Sequence, residues 1–189
     1  MNRKPLFICC LLFAVHSLPF TANCFAEETR LSETGLWAKT YETQYATIYY
    51  SNDSDLNSFT RNIRSGLQIF GESQKENPML AKNRVDAIVE RVEEILDMYS
   101  SNLHFKIYIY PAYKDLSLKY LAIGNFGKSP IAFYNHKTRA IYLSLQDTTD
   151  GVLAHEIGHA VINFFFPVPP PARMQEILAQ YVDRHLWEK

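Results

Sequence analysis

The sequence predicts an α+β fold with a small mixed or antiparallel sheet, on three observations. Phe105, Ile107 and Ile109 alternate with Lys106, Tyr108 and Tyr110, which is the two-residue period of a strand. Val85, Ile88, Val89, Val92, Ile95, Leu96 and Tyr99 recur at three- and four-residue steps, which is the stripe of an amphipathic helix. Two apolar runs, Ile131–Tyr134 and Ala140–Leu143, flank the polar connector Asn135–Arg139, which reads as a hairpin.

The remaining elements follow the same logic. Residues 27–39 are polar and unpatterned, a flexible lead or a segment that packs late. A strand is expected from Tyr41 to Tyr50, ended by Ser51-Asn52-Asp53. Leu56, Phe59, Ile63, Leu67 and Phe70 then form a helical stripe that stops at Gly71, and residues 71–81 form a loop. The long helix is expected over Asn83–Tyr99, with Asp86, Glu90, Arg91, Glu94 and Asp97 as a solvated face. A short helix follows strand 105–110, over Tyr113–Leu121. Thr148, Thr149 and Asp150 offer N-caps to an apolar helix that runs to Phe166 and is stopped by Pro167. A stiff linker, Pro167–Pro171, leads to a last helix over Ala172–Trp187, with Pro171 in its first turn.

Residues 1–26 read as a secretory signal: Arg3 and Lys4, an apolar run from Leu6 to Leu18, and small residues before a cleavage point after Ala26. That run falls short of the roughly 20 residues a spanning helix needs. Lipid attachment at Cys24 is disfavoured, because Thr21-Ala22-Asn23 lacks the residues that normally precede such a site. Cys9, Cys10 and Cys24 all fall within the signal, so the mature chain, a single domain over 27–189, has no thiol for a disulfide or a nucleophile. It carries 17 basic against 20 acidic residues, net −3. That balance excludes a nucleic-acid footprint and gives no polybasic membrane patch, and no stable membrane insertion is expected once the signal is removed. The expected location is secreted or periplasmic.

The chemistry concentrates in His155-Glu156-Ile157-Gly158-His159. Helical residues four apart lie about 40° apart around the axis and about 6 Å along it, so His155 and His159 share a face and can grip one ion. Zinc suits them, since it binds neutral imidazole and imposes little geometry of its own. Glu156 is rotated about 100° from His155, which places it as a base beside the ion and not as a ligand. The reaction expected of such a set is hydrolysis of a peptide bond by activated water. With 6 histidines in the chain, chance would produce the pattern only about 0.01 times. Its neighbours Val152, Leu153, Ala154, Ile157, Ala160 and Val161 are uncharged, as in a buried helix that is polar only toward a site.

A catalytic zinc needs a third protein ligand. Ile162 and Phe165 stand where a metzincin would place glycine and histidine, so that pattern is disfavoured. Glu176 is the best candidate, with Asp183 as the minor variant, and Gln180 on the same stripe is placed to hydrogen-bond a ligand histidine. Met174, Leu178, Tyr181 and His185 line the opposite, apolar side of that helix. His104 and His136 read as ordinary strand and turn residues.

Residues 131–183 resemble the gluzincins, zinc peptidases of the thermolysin-like type, and especially their smallest members, the minigluzincins. Ile131-Ala132-Phe133-Tyr134 is similar to the family's edge strand, His155–His159 to its active helix and Glu176-Ile177-Leu178-Ala179-Gln180 to its glutamate helix. The resemblance implies an edge strand over a zinc-binding helix and a C-terminal glutamate helix. It implies His155, His159 and Glu176 as zinc ligands and Glu156 as the base. It also implies a peptide or protein substrate paired to the backbone of Ala132 and Phe133. The chain departs from the family pattern at Gln180, where an acidic residue is usual, and with 13 residues after Glu176 it is expected to lack the C-terminal subdomain that carries a transition-state donor in larger relatives. Tyr134, Tyr142 and Tyr181 remain open for that role. So small a domain suggests latency imposed by its N-terminal residues or by an inhibitory partner. The alternative is an inactive zinc-binding module that holds peptides without cleaving them.

Overall fold

In the computed structural model the described residues are 36–63 and 79–188. The expected signal, most of the lead, the second half of the first helix and most of the loop after it lie outside them. The described residues form five helices and a five-stranded mixed sheet, so the predicted α+β class holds.

The strand expected over 41–50 is two strands, β1 (Lys39–Glu42) and β2 (Ala46–Tyr50), paired antiparallel. Thr43 makes the break: its hydroxyl accepts the N–H groups of Tyr45 and Ala46 at 3.2 and 2.9 Å, and its own N–H donates to the Ala46 carbonyl at 2.8 Å. A side chain that satisfies the backbone locally competes with an extended ladder. Helix α1 (Asp53–Asn62) starts at Asn52, whose side chain accepts the Asp55 N–H. Helix α2 (Met79–Leu96) begins before the expected boundary and ends earlier, because Asp97 takes a left-handed φ of 50°. Tyr99 is therefore exposed and off the core face.

Strand β3 (Phe105–Tyr110), helix α3 (Tyr113–Ala122), and strands β4 (Ala132–Asn135) and β5 (Ala140–Ser144) fall where expected. Helix α4 (Asp150–Phe165) is capped by Thr149, whose hydroxyl accepts the Val152 N–H. Helix α5 (Ala172–His185) has Pro171 as its N-cap and not as its first helical residue. The strand order is β1-β2-β3-β5-β4, with β2, β3 and β5 parallel and the two outer strands antiparallel. Strand β4 thus forms an edge.

Period-two alternation divides the sheet cleanly. One face sends Ile48, Ile107, Ile141 and Leu143 into the main core with Val85 and Val89 of α2 and Leu153 and Ile157 of α4. The other face carries a stacked aromatic ladder, Tyr49–Tyr108–Tyr142–Phe133, with successive centroids 4.5, 5.1 and 5.0 Å apart. Cross-strand aromatic pairs of this kind fix register. Trp37 packs on Tyr108 and Tyr110 there, so the described end of the lead lies on the sheet face away from α4. Arg91, expected on a solvated face, instead donates to the Leu186 and Glu188 carbonyls at 2.9 and 2.7 Å and satisfies backbone groups at the end of α5.

Candidate metal centre

Helix α4 buries Leu153, Ile157 and Val161 against the sheet, which turns His155 and His159 toward α5. Their rings stand nearly perpendicular, 5.1 Å apart. Glu176 reaches them because α5 packs directly on α4 at Gly158. A Cβ on Gly158 would sit 3.4 Å from the Ala179 Cα and 3.7 Å from Val182 Cγ2. The face of α5 that packs is accordingly Ala179, Val182 and Leu186, while Met174, Ile177 and Tyr181 are exposed. The apolar stripe expected through Met174, Leu178, Tyr181 and His185 is not the buried one, because the small pair Gly158 and Ala179 sets the contact.

The turn between the helices is tied by amides. Asn163 Nδ2 donates to the His159 carbonyl at 2.8 Å and to Gln175 Oε1 at 2.9 Å, and Gln175 Nε2 donates to the Pro170 carbonyl at 2.7 Å. Glu176 Oε2 then lies 3.7 Å from His155 Nε2 and 3.6 Å from His159 Nε2. Gln180, expected to bond a histidine, instead donates from Nε2 to Glu176 Oε1 at 2.8 Å. One carboxylate oxygen is held and the other faces both imidazoles.

Burial pushes His159 below its usual pKa, and the neighbouring His155 adds to this against the opposing pull of Glu176. The neutral form favoured there is the one that ligates metal. Glu156 is only 7 % exposed. Burial first, and the Glu176 charge second, push its carboxyl up to about 8, opposed by a hydrogen bond from the Tyr134 backbone N–H.

That bond also reveals how β4 is turned. Ser144 N–H donates to the Ile131 carbonyl at 2.9 Å, and the register pairs Phe133 with Tyr142. Antiparallel ladders alternate bonded and non-bonded pairs. The backbone groups of Ile131, Phe133 and Asn135 therefore face β5, while those of Ala132 and Tyr134 face outward. Phe133, expected to offer its backbone to a substrate, spends it within the ladder, and its ring belongs to the aromatic stack. Ala132 keeps the expected outward position, and Tyr134 joins it.

His155, Glu156, His159, Glu176, Ala132 and Phe133 all line one cleft of about 550 Å³. Tyr134, one of the three tyrosines open for the donor role, lines it too, together with His136, Asn163 and Gln175, which sequence spacing does not single out. For His136 the available signal was its place immediately after an edge strand. Asp183 lies elsewhere, its carboxylate occupying the space that a side chain on Gly151 would need. His185 bonds the Tyr181 carbonyl and stacks on that ring, and His104 lies 3.1 Å from Thr47 Oγ1. Of the three tyrosines, Tyr142 is in the aromatic ladder, Tyr181 is exposed on α5, and Tyr134 alone lines the cleft.

The donor set is one that could hold a metal ion, with zinc among those its imidazole and carboxylate groups suit. One ring nitrogen each of His155 and His159 and one Glu176 carboxylate oxygen lie within 4.8 Å of one another. Tetrahedral binding at the usual zinc–ligand lengths requires donors about 3.4 Å apart. The two Glu176 separations exceed this by a few tenths of an ångström, which small side-chain rotations close. Comparison with family models, with curated proteins and with solved structures gave no match in any of the three.

Proposed function

We propose that the chain is an exported, gluzincin-like zinc metallopeptidase in which His155, His159 and Glu176 hold the ion and Glu156 is the general base. One observation carries the reading: Glu176 converges on both histidines within the same cleft that contains Glu156 and the outward backbone of β4. When bound, zinc supplies a Lewis acid for the scissile carbonyl and lowers the pKa of water. Glu156, the buried carboxylate beside the two histidines, accepts a proton from water and delivers it to the leaving amine. The N–H and carbonyl of Ala132 pair an extended peptide to the edge, and the Tyr134 carbonyl extends the ladder. Phe133 positions that strand through its ring. Tyr134, whose hydroxyl is pushed up to about 12 by burial, is a cleft hydrogen-bond donor for a developing oxyanion, and His136 lines the same cleft.

The test is cleavage of a broad peptide library by the parent chain and by Glu156→Gln. Cleavage by the parent, with a loss of at least about a hundredfold in the variant while zinc is retained, is the expected outcome. Zinc binding without cleavage by the parent would instead identify a peptide-holding module.

A further inference from the structure

Helix α3 turns leucines outward. Leu116 is buried, and Tyr113, Tyr120 and Ile123 pack toward Tyr110, Phe133 and Tyr142. The outward stripe is Lys114, Leu118 and Leu121 at four- and three-residue steps, with Leu118 56 % and Leu121 48 % exposed. The helix runs into a loop bracketed by two glycines in the left-handed region, Gly124 at φ 90° and Gly127 at φ 87°. A Cβ on either would meet nothing within 4 Å, so this stretch stands clear of the body. Between them Phe126 is 90 % exposed, more than any other large apolar residue among those described. The far end of the loop is fixed, because the Tyr113 hydroxyl donates to the Ser129 carbonyl at 2.5 Å. An aromatic side chain is thus held out on an anchored loop beside a leucine-bearing helix.

The charge nearest it is basic by a small margin: Lys114, Lys119 and Lys128 stand against Asp115 and Asp147, the last lining the same hollow as Lys128. Residues 111–140 contain five basic side chains and one acidic one, Asp115, whereas the rest of the chain has 14 basic against 19 acidic. The near-neutral total conceals this, which is why whole-chain charge suggested no basic membrane patch. Lys119 lies over the Tyr142 ring and Arg139 over Phe164, while Lys114 and Lys128 are exposed next to the apolar groups.

We propose that α3 and the Gly124–Gly127 loop form a peripheral docking surface for an anionic lipid bilayer. Phe126, Leu118 and Leu121 enter the boundary between headgroups and acyl chains, and Lys114 and Lys128 meet lipid phosphates. A protein partner fits less well, since lysine is depleted from protein interfaces and the aromatic group here projects outward. No helix among the described residues is long and apolar enough to cross a membrane, so the contact is one of adsorption. Strand β4 starts just beyond the loop, at Ala132, so docking holds the edge strand and its cleft close to the lipid surface. The docking does not depend on metal or on cleavage.

The test uses the full chain carrying Phe126→Trp, mixed with vesicles of phosphatidylcholine alone or with phosphatidylglycerol, each with and without brominated acyl chains. The emission added by the new tryptophan, relative to the parent, reports position 126 even if the apolar N-terminal run also binds vesicles. Expected are a blue shift and bromine quenching on the phosphatidylglycerol vesicles only. Lys114→Glu with Lys128→Glu should weaken this response by roughly tenfold or more. These side chains are exposed, and an unchanged circular dichroism spectrum checks the fold. Emission from position 126 that ignores all vesicles overturns the proposal, as does equal quenching on phosphatidylcholine alone. A shift that depends on protein concentration without lipid also overturns it, by pointing to a second copy of the chain.

Discussion

Gln180, expected to hydrogen-bond a ligand histidine, has a different task in the structure. It holds Glu176 Oε1 at 2.8 Å and so presents Oε2 to the imidazoles. Partners that orient a ligand typically contribute about 10- to 100-fold in metal affinity. Gln180→Ala should weaken zinc binding by that factor, measured by competition with a chromogenic chelator. Glu156 leads to a pH prediction for chelator-treated protein. Its pKa rises on folding from 4.5 to about 8, so its contribution to stability is fully present below pH 4.5 and is lost as pH rises through about 8. Glu156→Gln removes that dependence. In thermal melts, the advantage of the variant over the parent should be small at pH 5 and large at pH 9.

Two helices and one strand edge make the site, and each is governed by a small structural choice. Gly158 lets α5 approach α4. An added methyl group would make ordinary van der Waals contact there, so Gly158→Ala should change stability by no more than about 1 kcal/mol. Gly158→Leu must push α5 outward and carry Glu176 away from the histidines. Zinc affinity should fall far more for leucine than for alanine, by isothermal titration of both variants. The i, i+4 histidines were legible in sequence because helical spacing alone puts them on one face. The buried face of α5 was not, because hydrophobicity favoured Met174 and Tyr181, whereas the contact depends on the small residues Gly158 and Ala179. On β4 the strand itself was legible. Which backbone groups face outward depends on a register that only the pairing with β5 defines.

For the molecule as a whole, alternating and stripe patterns identified the strands and helices that carry the site, since burial on one side dictates both periods. They missed β1, whose Lys39–Glu42 segment is mostly exposed and is held by pairing to β2, not by an apolar face of its own. They also missed His136, which enters the cleft through chain geometry and carries no recognisable spacing to the histidine pair. What unites the folded chain is that the sheet sets β4 beside α4, and the small-residue contact sets α5 upon it. The central claim is that this arrangement builds a zinc site from His155, His159 and Glu176. Its most direct test is zinc stoichiometry by native mass spectrometry, on protein purified without chelator and then supplied with zinc. One zinc per chain is predicted for the parent and for Glu156→Gln, with the site lost or greatly weakened in His155→Ala, His159→Ala and Glu176→Ala. A parent chain that takes up no zinc, or a Glu176→Ala chain that binds it unchanged, would contradict the account.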